Sequence, residues 1–493
     1  MQKPFDFLQN LCHNVNMQWL LMMGVSVGIT TNCLSDTWTV DDDGKADFSS
    51  IQDAIDFSSS GDLINVFEGV YYESLNFLGK AITVRGANAT TTIVDGSNNT
   101  TAVVTFDSGE TSQSVLSTLT IRRGQGNFWV DPTFGQQRCG GGIFCEQTSP
   151  TIQLCIIVDN AAWGGAGIFV TEGSPFIMFN QITHNEASGH GGGIFLSGHV
   201  NAIIDSCNVT NNVANWGGGM TCMEESDATI LNCSFNENTT NNVGGGMFIR
   251  SSSSPIVLGC EFKDNLQTFN PLGSGGGVCI YGGGSTGGPC YPTFRLCVFE
   301  RNTVNGDGGG MSAAYASHPK IEDCYFRYNT AGRSGGGLAC VADDEHQYPS
   351  NADVLDVTLE FNQAAEEGGG IHVRNSDPIF VFVNVQFNSA DNQGGGMNFF
   401  ESPNAYMQTS FICGNTNGQI SGTFSDGGGN SISDSCGNCD GDVNSDGVVN
   451  VSDILMVVGA WGPCGVPCPS DVNNDGVVNV SDILLVVGNW GPC

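Results

Sequence analysis

The stretch HGGGIFLSGHVNAIIDSCNVTNNVANWGGGMTCMEESDATILNCSFNENTTNNVGGGMFIR (residues 190–250) says one phrase three times. A glycine triplet is followed by an apolar residue, and each gap between triplets holds a run ending Cys-x-apolar-x-x-Asn. Outward from there the phrase recurs in both directions. Its last glycines are Gly142, Gly167 (as GGAG), Gly193, Gly219, Gly246, Gly277, Gly310, Gly337, Gly370, Gly396 and Gly429. Between triplets the pattern alternates with period two, as in ATILNCSF (228–235) and ADVLDVTLEF (352–361), and no gap holds a helix-length periodic stretch.

Short strands joined by turns in units of this length fit one coil of a β-solenoid. Each coil then adds its strands in parallel to the last, ~4.8 Å along the axis, and parallel crossovers are overwhelmingly right-handed. The glycines mark points where the backbone turns with positive φ or passes close to a neighbour. The Asn of each run can stack as a side-chain ladder and tolerates the left-handed conformation. Longer units read as loops on one face, mainly at 266–274, 281–293 and 341–353. Residues 38–86 differ: they predict one amphipathic helix, roughly Ser50–Phe57, with Ser50 as N-cap and Asp53 three residues on. Such a helix would cover the terminal edge of the solenoid, which would otherwise pair with other chains. GVYYE (69–73) would then open the first full coil.

These residues resemble known proteins. The block 38–96, with its IQDAID helix, G-x-Y turn and GKAITVRG strand, looks like the N-terminal cap of the pectate-lyase-like β-helix superfamily. The triplets and Phe-x-x-Asn runs resemble the repeats of chlamydial polymorphic outer-membrane proteins and related bacterial right-handed β-helix repeat proteins. The resemblance implies an all-β, right-handed parallel β-helix over 36–435, after a leader (1–35) and before a small helical module (436–493). It is specific for fold and weak for function.

The chain carries a net charge of −35, with 50 acidic and 15 basic residues. That balance excludes nucleic acid as a partner and disfavours polyuronates and sulfated glycans, since few cations face an anionic ligand. Twenty Cys and an apolar run at 19–29 too short to span a bilayer point to a signal peptide and a secreted or cell-surface location. No later segment is apolar enough to cross a membrane. Cys155, Cys207, Cys233, Cys260, Cys297 and Cys324 fall at equivalent positions, as do Cys145, Cys222, Cys279 and Cys340. Both sets read as buried stacks of free thiols, although inter-coil disulfides are geometrically allowed.

The C-terminus holds two copies of a calcium loop. Calcium takes six to eight oxygens. The first loop offers Asp442, Asn444, Asp446, the Val448 carbonyl, Asn450 and Asp453, with Gly447 for the sharp turn. The second offers Asp471, Asn473, Asp475, the Val477 carbonyl, Asn479 and Asp482, with Gly476. Each leads into a helix on which Val451, Leu455 and Val458, or their counterparts, form one apolar stripe. The duplication, with Asp closing each loop, resembles a type I dockerin. That resemblance implies Ca2+ and a cohesin-like or cell-surface partner. It departs from the type at Val451-Ser452 and Val480-Ser481, where dockerins often carry Ser-Thr. Cysteine symmetry suggests Cys439–Cys464 and Cys468–Cys493 disulfides, with a zinc site built on Cys436, Cys439, Cys464 and Cys468 left as the alternative.

Catalytic candidates are scattered. Gly189-His190-Gly191 matches the Gly-His-Gly of polygalacturonases but merges into a triplet, and its companion NTD and RIK motifs are absent. Asp343-Asp344-Glu345-His346 reads as a solvated acidic loop. Arg250 and Arg374 sit at equivalent places, with His372 near the latter, and all three read as isolated surface charges. No catalytic set emerges. Two functions stay open: a secreted polysaccharide-binding or polysaccharide-degrading protein, as lyase or O-glycosyl hydrolase, and a non-catalytic adhesin-type surface protein.

Overall fold

The computed structural model describes residues 35–493, apart from 132–133, 284–286, 343–347, 403, 437–440, 445–447, 466–467, 474 and 493. The expected leader, the acidic loop at 343–346, and Asp446, Gly447, Cys439 and Cys493 thus lie outside the described residues.

One coil shows the plan. The chain runs through Thr151–Gln153 (sheet I), Ile156–Val158 (sheet II), Ala161–Ala162 (sheet III) and Ile168–Thr171 (sheet IV). It then restarts in sheet I at Phe176–Met178. Among the described residues sheets I, II, III and IV hold 15, 14, 9 and 13 strands, each paired to the next coil. The pairing is parallel and in register: Ile152 faces Ile177, Ile157 faces Ile182 and Ile168 faces Ile194. The molecule is an all-β parallel solenoid, as the triplet spacing predicts.

Register stacks like on like. Inward columns such as Ile152, Ile177, Ile204 and Ile230, or Phe235, Phe262, Phe299 and Phe326, fill one continuous core. The Phe262, Phe299 and Phe326 rings stack 5.1 and 4.4 Å apart, within 6° of parallel. Between sheets II and III a buried asparagine ladder turns the corner. The Oδ1 of Asn238 accepts from the Asn212 backbone N–H (3.0 Å) and its Nδ2 (3.1 Å), while the Asn238 Nδ2 donates to the Val209 carbonyl (2.9 Å). Each amide therefore satisfies backbone groups that water cannot reach, and losing one would cost about 1–3 kcal/mol per orphaned group. The left-handed residue is not this Asn but the one before it, including Asp159, Asn211 and Glu237. Placing the turn there leaves the Asn backbone extended enough to aim its amide along the axis.

The buried cysteines form the matching ladder between sheets I and II. Cys233 Sγ accepts from the Cys207 backbone N–H (3.4 Å), and Cys260 Sγ from that of Cys233 (3.4 Å). Twelve cysteines among the described residues are free and buried, consistent with the thiol-stack expectation. Burial pushes the thiols of Cys155 and Cys340 up to about 12.

The triplet glycines divide their work. The first is left-handed, as at Gly191 (φ 58°) and Gly217 (φ 65°). The second and third face the next coil: a Cβ on Gly192 would stand 2.5 Å from the Gly218 carbonyl oxygen and 2.6 Å from that of Val213. Gly429 is not part of this column. It follows the sheet I strand Ser425–Asp426, and the coil after Gly396 continues instead at Ile420–Gly422.

Two other expectations change. The insertions leave from two corners, since 266–274 lies between sheets II and IV while 281–293 and 341–353 follow sheet IV. The first rung starts before GVYYE, because Thr37–Val40 already pairs with Leu63–Val66 in sheet I. An antiparallel hairpin, Asn127–Asp131 with Gly135–Cys139, precedes the first triplet. Helix α1 (Ile51–Phe57) buries Ile51, Ala54 and Ile55 against the first strands of sheets I and IV. Ser50 Oγ accepts from the Asp53 N–H (3.2 Å), and Glu73 takes the Ile51 and Gln52 N–H groups at 2.8 and 2.9 Å. Lys80 Nζ closes the other end on the Ile55 and Asp56 carbonyls, so both ends meet the charge their dipole favours.

Candidate functional site

Each triplet brings two residues together. The one just before it and the second one after it meet along a seam parallel to the solenoid axis, outside the sheet IV core. Contacts join His190 with Phe195, Trp216 with Thr221, and Glu367 with His372, and Asp307 with Ser312 and Gln393 with Asn398 hold the same two positions. The pre-triplet residues are themselves in register, as the parallel bridges His190 to Trp216, Ser274 to Asp307 and Glu367 to Gln393 show.

The N-terminal half of the seam is aromatic. His190 sits 4.9 Å from the Trp216 ring, 5.3 Å from Phe195 and 5.4 Å from Trp163, and Phe134 lies 5.4 Å from Trp163. Trp129, Trp163 and Trp216 remain half-exposed, whereas His190 is 1% exposed and neither ring nitrogen has a hydrogen-bond partner. Burial, with Arg250 nearby, holds its pKa down to about 3. Gly-His-Gly is thus a buried ring in an aromatic cage.

The C-terminal half is polar. Asp307 is buried; its Oδ1 accepts from the Ser334 N–H (3.1 Å) and its Oδ2 lies 3.4 Å from Arg333 Nη1. Glu367 Oε1 accepts from Gln393 Nε2 (3.1 Å), and its Oε2 lies 3.9 Å from His372 Nδ1. His372 is no surface charge: it is 5% exposed, and burial beside Arg374 and Arg333 holds it down to about 3. Arg250 and Arg374 do share one position, the fourth residue of a sheet IV strand. They are half-buried, and Arg250 lies 5.9 Å from the Tyr281 ring centroid, so the isolated-charge reading fails for all three. The sequence holds the signal for this seam in plain view: it is the pair of positions flanking each triplet.

In the C-terminal module, helices α2 (Val451–Gly459) and α3 (Val480–Gly488) each follow one loop. Each loop pairs with the tail of the other repeat, Val448–Val449 with Gly491–Pro492 and Val477–Val478 with Gly462–Pro463. Asp453 and Asp482 are fully buried. Asp453 accepts from the N–H groups of Val443, Asn444 and Asn450, and Asp482 from those of Asn473 and Asn479. Asp471 accepts from Asp475 and Gly476, and Asp475 from Val477. Asn450 and Asn479 cap their helices through Oδ1, while their Nδ2 groups donate to the Val448 and Val477 carbonyls. Among the described residues no three His, Cys, Asp or Glu groups converge as metal ligands. Even so, two buried carboxylates with no cationic side chain hydrogen-bonded to them are a donor set that suits a hard divalent cation.

The apolar stripe of each helix faces solvent. Val457 and Val486 are buried with Val449 and Val478, and Ile454 and Ile483 pack beside them. Leu455 and Leu484 are 64% and 65% exposed, alongside Val451, Val458, Val480 and Val487. The cysteine pairing also differs. Cys464 is bonded to Cys468, and Cys436 to Cys413, with Cα atoms 6.1 and 5.0 Å apart. Those bonds exclude the Cys439–Cys464 and Cys468–Cys493 pairings and consume three of the four thiols of the zinc alternative. Four residues of separation already bring Cys464 and Cys468 into bonding range.

Residues 179–273 match the family described as "Right handed beta helix region". With the parallel topology, this makes the solenoid a right-handed β-helix. The chain has no significant sequence match among curated proteins. Solved structures similar to it include a pectin methylesterase from carrot, 12% identical, covering 65% of this chain and 82% of that one with a TM-score of 0.32. Another is the catalytic unit of a GH87 α-1,3-glucanase from Streptomyces thermodiastaticus, 15% identical, covering 78% and 65% with a TM-score of 0.41. Among the described residues no helix is long and apolar enough to cross a membrane.

Proposed function

We propose that this is a secreted polysaccharide-binding β-helix protein, held to a scaffold or surface by a calcium-dependent, dockerin-like C-terminal module. The observation that carries the first half is the row of half-exposed indoles, Trp129, Trp163 and Trp216, along one seam of a rigid solenoid. The apolar C–H faces of sugars stack on such rings, and the remaining wet edge leaves their hydroxyls solvated. In this reading 36–435 is the binding solenoid, α1 closes its first edge against pairing with other chains, and 436–493 is the attachment module.

For attachment, Asp442, Asn444, Asp446, Val448, Asn450 and Asp453 would hold one Ca2+, and Asp471, Asn473, Asp475, Val477, Asn479 and Asp482 a second. The ion would supply the positive charge that the buried Asp453 and Asp482 lack. Two exposed, near-identical apolar stripes on α2 and α3 support a protein partner of the cohesin-like kind, because an isolated small module gains nothing by leaving Leu455 and Leu484 in water. Native affinity electrophoresis through gels containing neutral polysaccharides tests the binding role. Wild-type protein should be retarded by at least one, and Trp163→Ala with Trp216→Ala should migrate as in a blank gel. Equal mobility of both proteins in every gel counts against it.

A further inference from the structure

We propose that the polar half of the seam is a hydrolytic site for neutral glycans, with Asp307 as general acid and Glu367 as general base of an inverting glycosidase. The proposal rests on the polysaccharide reading and adds chemistry to it.

The geometry comes from the triplet column. Asp307, Ser334 and Glu367 are the pre-triplet residues of three successive coils, tied together by the Gly308 N–H to Ser334 carbonyl and Gly335 N–H to Glu367 carbonyl bonds, each 3.0 Å. Two rungs at ~4.8 Å place their backbones about 10 Å apart. Small Ser334 lies between them. Inverting enzymes need such a gap, because a water and the glycosidic oxygen must both fit between the carboxyls.

The two environments differ in the sense that acid and base require. Asp307 has a side chain 11% exposed, and burial raises its carboxyl despite Arg333 and the Ser334 N–H. Glu367 is more open, 26% exposed, and its Oε1 accepts a hydrogen bond from Gln393 Nε2. Ser312, His372 and Asn398 share the second position after their triplets, and they are 0%, 5% and 2% exposed. The His372 and Asn398 side chains are hydrogen-bonded to each other, whereas Ser312 Oγ has no partner. Buried polar atoms ordinarily find partners, so the unmet Ser312 hydroxyl beside the two carboxylates marks a place where a sugar hydroxyl would bind. Asp307 follows Trp216 by three rungs, about 14 Å, so a chain stacked on the indoles reaches the carboxyls along one axis. The acidic balance of the protein disfavours polyuronates.

In the step, Glu367 takes a proton from water, whose oxygen bonds to the anomeric carbon. The bond from that carbon to the glycosidic oxygen breaks as Asp307 protonates the oxygen. One water is consumed, two chain ends form, and solvent returns the proton from Glu367 to Asp307.

The test is hydrolysis of a panel of neutral glucans, mannans and xylans by the full chain, with the anomeric proton of the first product followed by NMR. Release of product with inverted configuration is expected. Asp307→Asn and Glu367→Gln should each lower kcat about 10²–10⁴-fold, with gel retardation and thermal midpoint unchanged. Retained configuration, or either variant at wild-type rate, overturns the assignment. Retardation with no hydrolysis of any substrate overturns the catalytic proposal alone and leaves a binding protein. Loss of retardation in the wild type removes the polysaccharide reading beneath it.

Discussion

Asn238 and His190 show what single residues reveal and hide. The Asn column is legible because a buried amide must repeat wherever the same corner repeats, and the spacing displays it. Which residue takes the left-handed turn was not legible: Asn tolerates it, but here the ladder bonds need the turn just before it. His190 was hidden for a different reason: a histidine beside glycines carries no mark of burial. Free histidine titrates at about 6.5, and burial holds His190 and His372 down to about 3. The folded chain therefore refuses protons that the unfolded chain accepts below pH 6.5. The stability involved is fully present above that pH and is lost as the pH falls toward 3, at roughly 1.4 kcal/mol per pH unit for each histidine. Between pH 6.5 and 4.5, His190→Phe should lose about 2 kcal/mol less than wild type in urea titrations. Equal losses would mean that His190 is protonated in the fold.

At the scale of elements, the solenoid strands were readable from period two alone, and α1 from Ser50 and its apolar spacing. Its partner Glu73 was not, because a cap supplied from another coil leaves no local trace. The helices after the two acidic loops were legible, but which of their faces packs inward was not. Each carries apolar residues around most of its surface, VSDILMVVG and VSDILLVVG, so periodicity offers two faces. Tertiary pairing of the loops chose Ile454 and Val457 for the core and left Leu455 outside. Under the calcium proposal, a cation would offset the charge of Asp453 and Asp482, which are buried in that small core. Chelation with EDTA should therefore lower the unfolding temperature of the module while the solenoid transition stays fixed. Calcium restored to a hundredfold above its dissociation constant should return about 2.7 kcal/mol to the module. Asp453→Asn with Asp482→Asn should abolish that response. A calorimetric trace that ignores both EDTA and calcium would sink the metal assignment.

The whole molecule is a column in which each coil touches only its neighbours, so the energetics are nearly one-dimensional. That makes the repeat unit a physical quantity, open to removal. Deleting Met220–Gly246 joins Gly219 to Met247 and drops one full coil. Every surviving column then meets its own kind: Ile204 stacks on Val257, Cys207 on Cys260, Val209 on Phe262, Asn212 on Asn265 and Phe195 on Phe248. These residues already pair with the deleted coil in the same register. No corner changes, so no buried amide or glycine contact is left unmet. Deleting Met220–Asn232 instead sets Cys233 directly after a triplet, which puts a sheet II strand where sheet IV belongs and turns inward residues outward. The full-repeat deletion should keep its β-type circular dichroism and one cooperative melt, with the midpoint lowered by about 5 °C. The partial deletion should show neither. The shortened protein should also stay retarded by polysaccharide, since Trp129, Trp163 and Trp216 all remain, while Asp307 moves about 4.8 Å closer to them. If the two deletions behave alike, the glycine triplets do not define the rungs, and neither the seam nor anything placed along it would survive.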